Sequence, residues 1–161
     1  MKNAIAMLQK IQIAVGGFFL CVFLITVVIQ IVCRYLGISV TWTQDVSMYA
    51  FIWAVFMGAG AMVYEKRHFA FTSVSDMLKN QKAKSVLAII ITLVMLAFAV
   101  LMVYYGIQVT KQFWNYTWVT LPQFKRGPTW LCLPICGATS TIFLCEQLVD
   151  ELKNFGKGDK K

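Results

Sequence analysis

Charged side chains are scarce in this sequence and missing altogether from its longest apolar runs. Only 14% of the 161 residues are charged, against 59% hydrophobic and 14% aromatic, about half the charged share of an ordinary soluble domain. A water-soluble globule of this length is excluded, because its surface would need far more polar cover. Histidine occurs once, at His68, so a bis-histidine haem within the chain is impossible. None of the seven carboxylates lies inside an apolar run, which removes the buried acid that a proton-coupled drug exporter requires. Residues 40–46 and 111–127 contain no cysteine, which excludes a disulfide-generating enzyme with reactive pairs in those loops. A glycine-rich phosphate loop, a Ser-His-Asp set and a metal-binding cluster are also lacking. Neither enzymatic chemistry nor a cofactor is expected.

Five cysteines are present, Cys21, Cys33, Cys132, Cys136 and Cys145, all within or at the ends of apolar runs. That placement implies no disulfide framework. Cys132 and Cys136 stand one helical turn apart, but no His or carboxylate lies nearby in sequence to complete a tetrahedral metal site. They read as small packed hydrophobes. The net charge of +8 arises from 15 Lys+Arg against 7 Asp+Glu. The basic residues flank uncharged runs instead of forming an aromatic-studded basic face, so they fit membrane orientation and anionic lipid, and no nucleic-acid partner is expected.

Four uncharged stretches are long enough to cross a bilayer: 11–33, 46–64, 85–110 and 128–145. At 1.5 Å per residue the shortest reaches about 27 Å and the third about 39 Å, which predicts tilt or overhang for the third. The first run is too long for a secretory signal core and lacks an Ala-x-Ala end, so it is read as a retained helix. Of the 15 Lys+Arg, 11 lie on one side of this topology and 4 on the other. The positive-inside rule then places both termini and residues 65–84 in the cytoplasm. Tyr35, Trp42, Trp114, Tyr116, Trp118 and Trp130 would line the opposite interface.

The fold class expected is all-α, an integral membrane protein of four transmembrane helices plus short interfacial amphipathic segments. Those segments are Ala4, Ile5, Leu8 and Ile11 at the start, Phe71, Val74 and Leu78 in the second loop, and Leu148, Leu152 and Phe155 near the end. Residues 1–155 read as one membrane domain and 156–161 as a polar, disordered tail. Within the second span Ala50, Ala54 and Gly58 recur every four residues and offer a smooth stripe to another helix. Packing within the chain's own bundle is the first reading of that stripe and a partner surface the second; under either, Gly58→Leu is expected to disrupt close packing. Arg34 and Asp45 bracket the short loop, with Arg34 placed to snorkel toward lipid phosphate or to pair with Asp45. Glu65 to His68 read as an interfacial stop.

The order of motifs resembles the small membrane subunit of the tripartite ATP-independent periplasmic (TRAP) transporters. Arg34-Tyr35, Trp42-Thr43-Gln44-Asp45, Tyr49-Ala50-Phe51-Ile52-Trp53, Phe56-Met57-Gly58-Ala59-Gly60-Ala61 and His68 follow the family's series. Leu121-Pro122, Gly127-Pro128-Thr129-Trp130-Leu131 and Leu133-Pro134-Ile135-Cys136-Gly137 resemble the pattern around its last span. Two departures stand out: Gln44 precedes a single Asp45 where two adjacent acids are common, and Phe71-Thr72 replace a pair that commonly includes an acid.

The resemblance implies a complex in the bacterial inner membrane in which a periplasmic binding protein captures an organic anion. A large multi-span subunit then moves it with sodium, and the small subunit is part of the fixed scaffold. Sialic acid, C4-dicarboxylates and other carboxylates fit equally. Contacts with phospholipid or the large subunit are expected at Arg34, Tyr35, Trp42, Asp45, Trp53, Ala54, Gly58, His68, Trp130 and Pro134. The competing reading is a self-sufficient small transporter or channel that assembles as a homo-oligomer.

Overall fold

A computed structural model describes residues 2–65 and 81–157. His68 and the segment carrying Phe71, Val74 and Leu78 lie outside the described residues, as do residues 158–161, on which most of the expected tail falls. The helices are α1 (Lys2–Tyr35), α2 (Trp42–Tyr64), α3 (Gln81–Gln112), α4 (Gly127–Trp130) and α5 (Cys132–Lys157). The described residues contain four helices long and apolar enough to cross a membrane, the fourth made of α4 and α5 together.

Each span overruns its uncharged core, because nothing in the flanking sequence stops a helix there. The N-terminal amphipathic segment forms the first turns of α1, and the segment with Leu148 and Leu152 continues α5. The buried face of the early α1 turns also differs from the expected apolar one. Ile5 is buried and Leu8 packs against it, but Ile11 is half exposed, while Gln9 and Gln12 are buried. These positions, with Gly16, are spaced to fall on one face of a 3.6-residue helix.

Helix ends follow local chemistry. Gly37 has φ +72°, and around it Ile38 N–H donates to Cys33 O at 2.9 Å and Gly37 N–H to Arg34 O at 3.2 Å. This is a Schellman stop, which needs the left-handed residue that glycine supplies without steric cost. The fourth span breaks at Leu131. Pro134 sits in the first turn of α5, where its missing N–H costs little, but it cannot bond back to the α4 carbonyl four residues earlier. At the far end of α2, Gln147 Nε2 donates to Val63 O at 2.6 Å and to Tyr64 O at 3.5 Å, so a side chain of α5 satisfies terminal carbonyls of α2.

The helices pack in the order α1, α2, α5, α3, with each flanking helix having one principal neighbour. Burial follows this order: 39% of the most apolar stretch is buried in α2 and in the fourth span, but only 11% in α1 and in α3. The flanking helices therefore present most of their apolar surface outward. Ile5, Val63, Ala99, Phe143 and Leu144 form a core cluster, and Tyr64 meets Phe143 edge-on at 5.5 Å.

Glycines set the closest approaches. A Cβ on Gly137 would lie 2.9 Å from the Val103 backbone nitrogen and 3.0 Å from Ala99 O, and one on Gly106 would lie 2.9 Å from the Pro134 nitrogen. Thus α3 and α5 cross backbone to backbone through reciprocal glycines. A Cβ on Gly60 would strike Gln12 Nε2. That amide, from α1, donates to Thr139 Oγ1 of α5 at 2.8 Å, so three helices meet at one buried polar node. Gln12 Oε1 has no partner there among the described residues.

The node yields a test of how buried polar groups act in this chain. Gln12→Leu removes an amide whose oxygen is already unpartnered and leaves Thr139 bonding to its own helix, as it does to Ile135 O and Cys136 O. Thr139→Val instead strands the whole amide. We expect Gln12→Leu to cost below about 1 kcal/mol and Thr139→Val about 1–3 kcal/mol. Thermal unfolding in detergent measures both, and the reverse ranking would refute the assignment.

Candidate interaction site at the 113–126 loop

The loop that joins α3 to α4 folds back on itself. Trp118 N–H donates to Phe124 O at 3.0 Å and Arg126 N–H to Tyr116 O at 2.7 Å, around an isolated antiparallel bridge between Thr117 and Lys125. Phe124 N–H donates to Leu121 O at 3.0 Å. Leu121-Pro122-Gln123-Phe124 is thus a β-turn with proline at its second position, where a fixed φ is an advantage. At the base of the hairpin a Cβ on Gly127 would overlap the Trp114 ring and crowd its Cα, so only glycine lets Trp114 approach the start of α4 this closely.

Asp45 holds the hairpin tip. It stands in the first turn of α2, where a carboxylate complements the helix N-terminus, and only 8% of it is exposed. Its Oδ2 accepts from Thr120 N–H at 3.0 Å and from Thr120 Oγ1 at 2.7 Å. The buried carboxylate is satisfied by charge-assisted bonds to the loop. Among the described residues it makes no ion pair with Arg34, the alternative expected from their positions.

One turn further along α2, Tyr49 is buried against Trp118 with ring centroids 4.7 Å apart, and Trp118 meets Phe124 at 5.6 Å. The Arg126 guanidinium lies close enough to the Tyr49 hydroxyl to act on it as a neighbouring charge, while its buried Nε has no hydrogen-bond partner among the described residues. Phe113 lies between Tyr116 and Trp130, at 5.6 and 5.8 Å. Such ring pairs contribute roughly 0.5–1.5 kcal/mol each beyond the area they bury. Between the hairpin, α1 and α2 lies an apolar groove of about 350 Å³ lined by Phe19, Tyr49, Trp53, Trp118 and others.

The structure gathers some of the expected residues and separates others. Asp45, Trp53 and Trp130 take part in or border the hairpin assembly; Trp53 stacks on Phe19 of α1 at 5.0 Å. Arg34 and Tyr35 are exposed in the last turn of α1, and Trp42 is 41% exposed at the start of α2. Pro134 lies against Gly106 in the α3–α5 crossing. Ala54 and Gly58 line an open groove of about 310 Å³ beside Gly16 and Gly17 of α1. A Cβ on Gly58 would meet nothing within 4 Å among the described residues, although one on Gly16 of α1 would lie 3.4 Å from the Gly58 nitrogen and 3.5 Å from Ala54 O. The tight glycine of that helix is Gly60, which points toward α1 and α5. Within the isolated chain, therefore, Gly58→Leu has room, and the expected disruption does not follow from the chain's own packing.

Several residues of the assembly lay beyond sequence reasoning. Thr120 and Asp45 are 75 positions apart, and no local pattern links them. Arg126 looked like one more flanking cation. Gln12 was visible as an amide in an apolar run, but only the helix order shows which neighbour it serves.

Comparison with known proteins then gives the family. No individual curated protein matches the chain significantly. The family model described as "Tripartite ATP-independent periplasmic transporters, DctQ component" matches residues 23–154, which include the last part of α1, all of α2, α3 and α4, and nearly all of α5. The match contains Asp45 and the hairpin it holds, the α3–α5 crossing and the α2 side of the Gly58 groove. With four spanning helices and a match over most of its length, the chain belongs to the DctQ component family of the TRAP transporters, as a small membrane subunit and not an enzyme.

Proposed function

We propose that this chain is a non-catalytic scaffold subunit: it packs beside the large membrane subunit, holds its stationary part in place, and presents the 36–41 and 113–126 loops to the periplasm, where the binding protein docks. The complex imports an organic anion of the carboxylate class, coupled to sodium by the large subunit. The observation that carries this reading is the distribution of charge. Ion coupling within a membrane needs acidic, basic or histidine side chains at depth, and residues 11–33, 46–64, 85–110 and 128–145 contain no Asp, Glu, Lys, Arg or His. The polar groups buried within the spans, such as Gln12 and Thr139, are neutral and join helices of this chain, and the buried carboxylate of Asp45 lies just outside the 46–64 run. Orientation follows from the 11 to 4 split of Lys+Arg, which puts both termini in the cytoplasm.

Reconstitution tests the reading. This chain alone in liposomes should give no gradient-driven uptake, while the two membrane subunits with the binding protein should give uptake that depends on sodium. Copurification of the two membrane subunits in mild detergent is the companion measurement. Substrate-dependent uptake by this chain alone would instead establish the self-sufficient transporter.

A further inference from the structure

We infer that the hairpin of residues 116–126 is a preformed docking element for an acidic surface of the soluble binding protein, with Lys125 as its charged contact. This rests on the scaffold reading and its orientation. The only carboxylate in the 34–45 and 111–127 segments is Asp45, and it is buried and occupied by Thr120. The exposed charges of this end, Arg34, Lys111 and Lys125, are therefore all positive.

Two of these cations have a local account. Arg34 and Lys111 stand in the last turns of α1 and α3, where a cation complements the helix C-terminus. Lys125 has none: it is exposed on the hairpin and has no side-chain partner among the described residues. Its neighbour Arg126 is half-buried, with its Nε enclosed and its charge beside Tyr49. Outward loops are depleted of Lys and Arg by the topology bias, so a cation kept there without an internal partner calls for an external one.

The shape of the hairpin favours a protein over lipid headgroups. Val119 is 75% exposed and Tyr116 59% exposed, although the hairpin backbone that carries them is pinned by Asp45, the Tyr49–Trp118 stack and the close fit at Gly127. Exposed apolar and aromatic residues beside a cation, on a backbone that does not need to order on contact, are what a protein interface uses. Headgroups require no such shaped surface.

The test uses the two membrane subunits together in nanodiscs of phosphatidylcholine alone, titrated with the purified binding protein of the same transporter. Affinity should fall with rising salt. Lys125→Glu should weaken binding by about tenfold at low salt, with Lys125→Arg close to wild type. Val119→Glu should weaken it as well, while the large subunit still copurifies with each variant. Affinity unchanged by Lys125→Glu overturns the proposal and leaves the scaffold reading intact. An effect of Lys125→Glu seen only when phosphatidylglycerol is present overturns it in favour of lipid. Failure of the wild-type membrane subunits to copurify counts against the scaffold reading instead.

Discussion

Gly137→Val should separate α3 from α5, whereas Gly58→Val should leave the isolated chain folded. At Gly137 the new carbon would press on backbone atoms of α3, the Val103 nitrogen at 2.9 Å and Ala99 O at 3.0 Å. No rotamer change can relieve a contact with backbone, so the helices must move apart, and the reciprocal contact of Gly106 with Pro134 is lost with them. Overpacking of this kind costs about 3 kcal/mol, the upper part of the usual range. For a chain of this size that lowers the unfolding midpoint by roughly 10 °C. A Cβ on Gly58 would meet nothing within 4 Å among the described residues, and valine, though β-branched, still favours helix over glycine. The comparison is made by thermal unfolding of each variant alone and again with the large subunit. If Gly58→Val is harmless alone yet blocks copurification, its groove faces the large subunit. Equal stability of Gly137→Val and wild type would contradict the backbone crossing itself.

Asp45→Ala should release the hairpin without unfolding the helices. The substitution leaves the Thr120 amide and hydroxyl without their acceptor. Bonds to a charged group contribute about 1.5–3 kcal/mol each. Solvent can compensate part of this at the membrane surface, so a local loss of about 2 kcal/mol is expected, equivalent to roughly thirtyfold more of the opened loop. Limited proteolysis between residues 117 and 125 reads the opening directly, and Trp118 emission should shift as its stack on Tyr49 loosens. Asp45→Asn keeps one acceptor oxygen and should fall between. Thr120→Val should fall between too, because the backbone bond survives. Protection of Asp45→Ala equal to wild type would show that the aromatic stack alone holds the loop.

How much of this was legible beforehand differs between the helices and the site. Helix number and approximate limits follow from apolar run length, because a backbone in hydrocarbon must satisfy its own hydrogen bonds. The limits erred on the short side, since charge was used as the boundary while a helix continues past the lipid until a residue such as Gly37 stops it. Asp45 and Trp130 were recognisable as interfacial residues of unusual type. Their partners were not, because Thr120 and Phe113 come from another loop and have no distinctive spacing.

The small-residue stripe shows the same limit from the other side. Ala50, Ala54 and Gly58 satisfy a pattern that signals close helix approach. Yet a pattern on one helix cannot say which of its faces finds a neighbour. In the folded chain Ala54 O and Gly58 N border Gly16 of α1, within 3.5 Å of where a Cβ on it would sit, but the tighter contacts fall at Gly60 and Gly137, and the Cβ position of Gly58 faces an open groove.

The sequence by itself determined that the chain is a four-span membrane protein without charged side chains at depth, because the energetic penalty for charge in hydrocarbon depends on composition along a single helix and needs no neighbour. Only the tertiary structure decided the order α1, α2, α5, α3, the burial of Gln12 at a three-helix node, and the capture of the 113–126 hairpin by Asp45. Lipid is as apolar as the side chains that face it, so hydrophobicity does not select among helix faces. Close fit at glycines and a few directional hydrogen bonds make that selection, and both exist only once the helices have met.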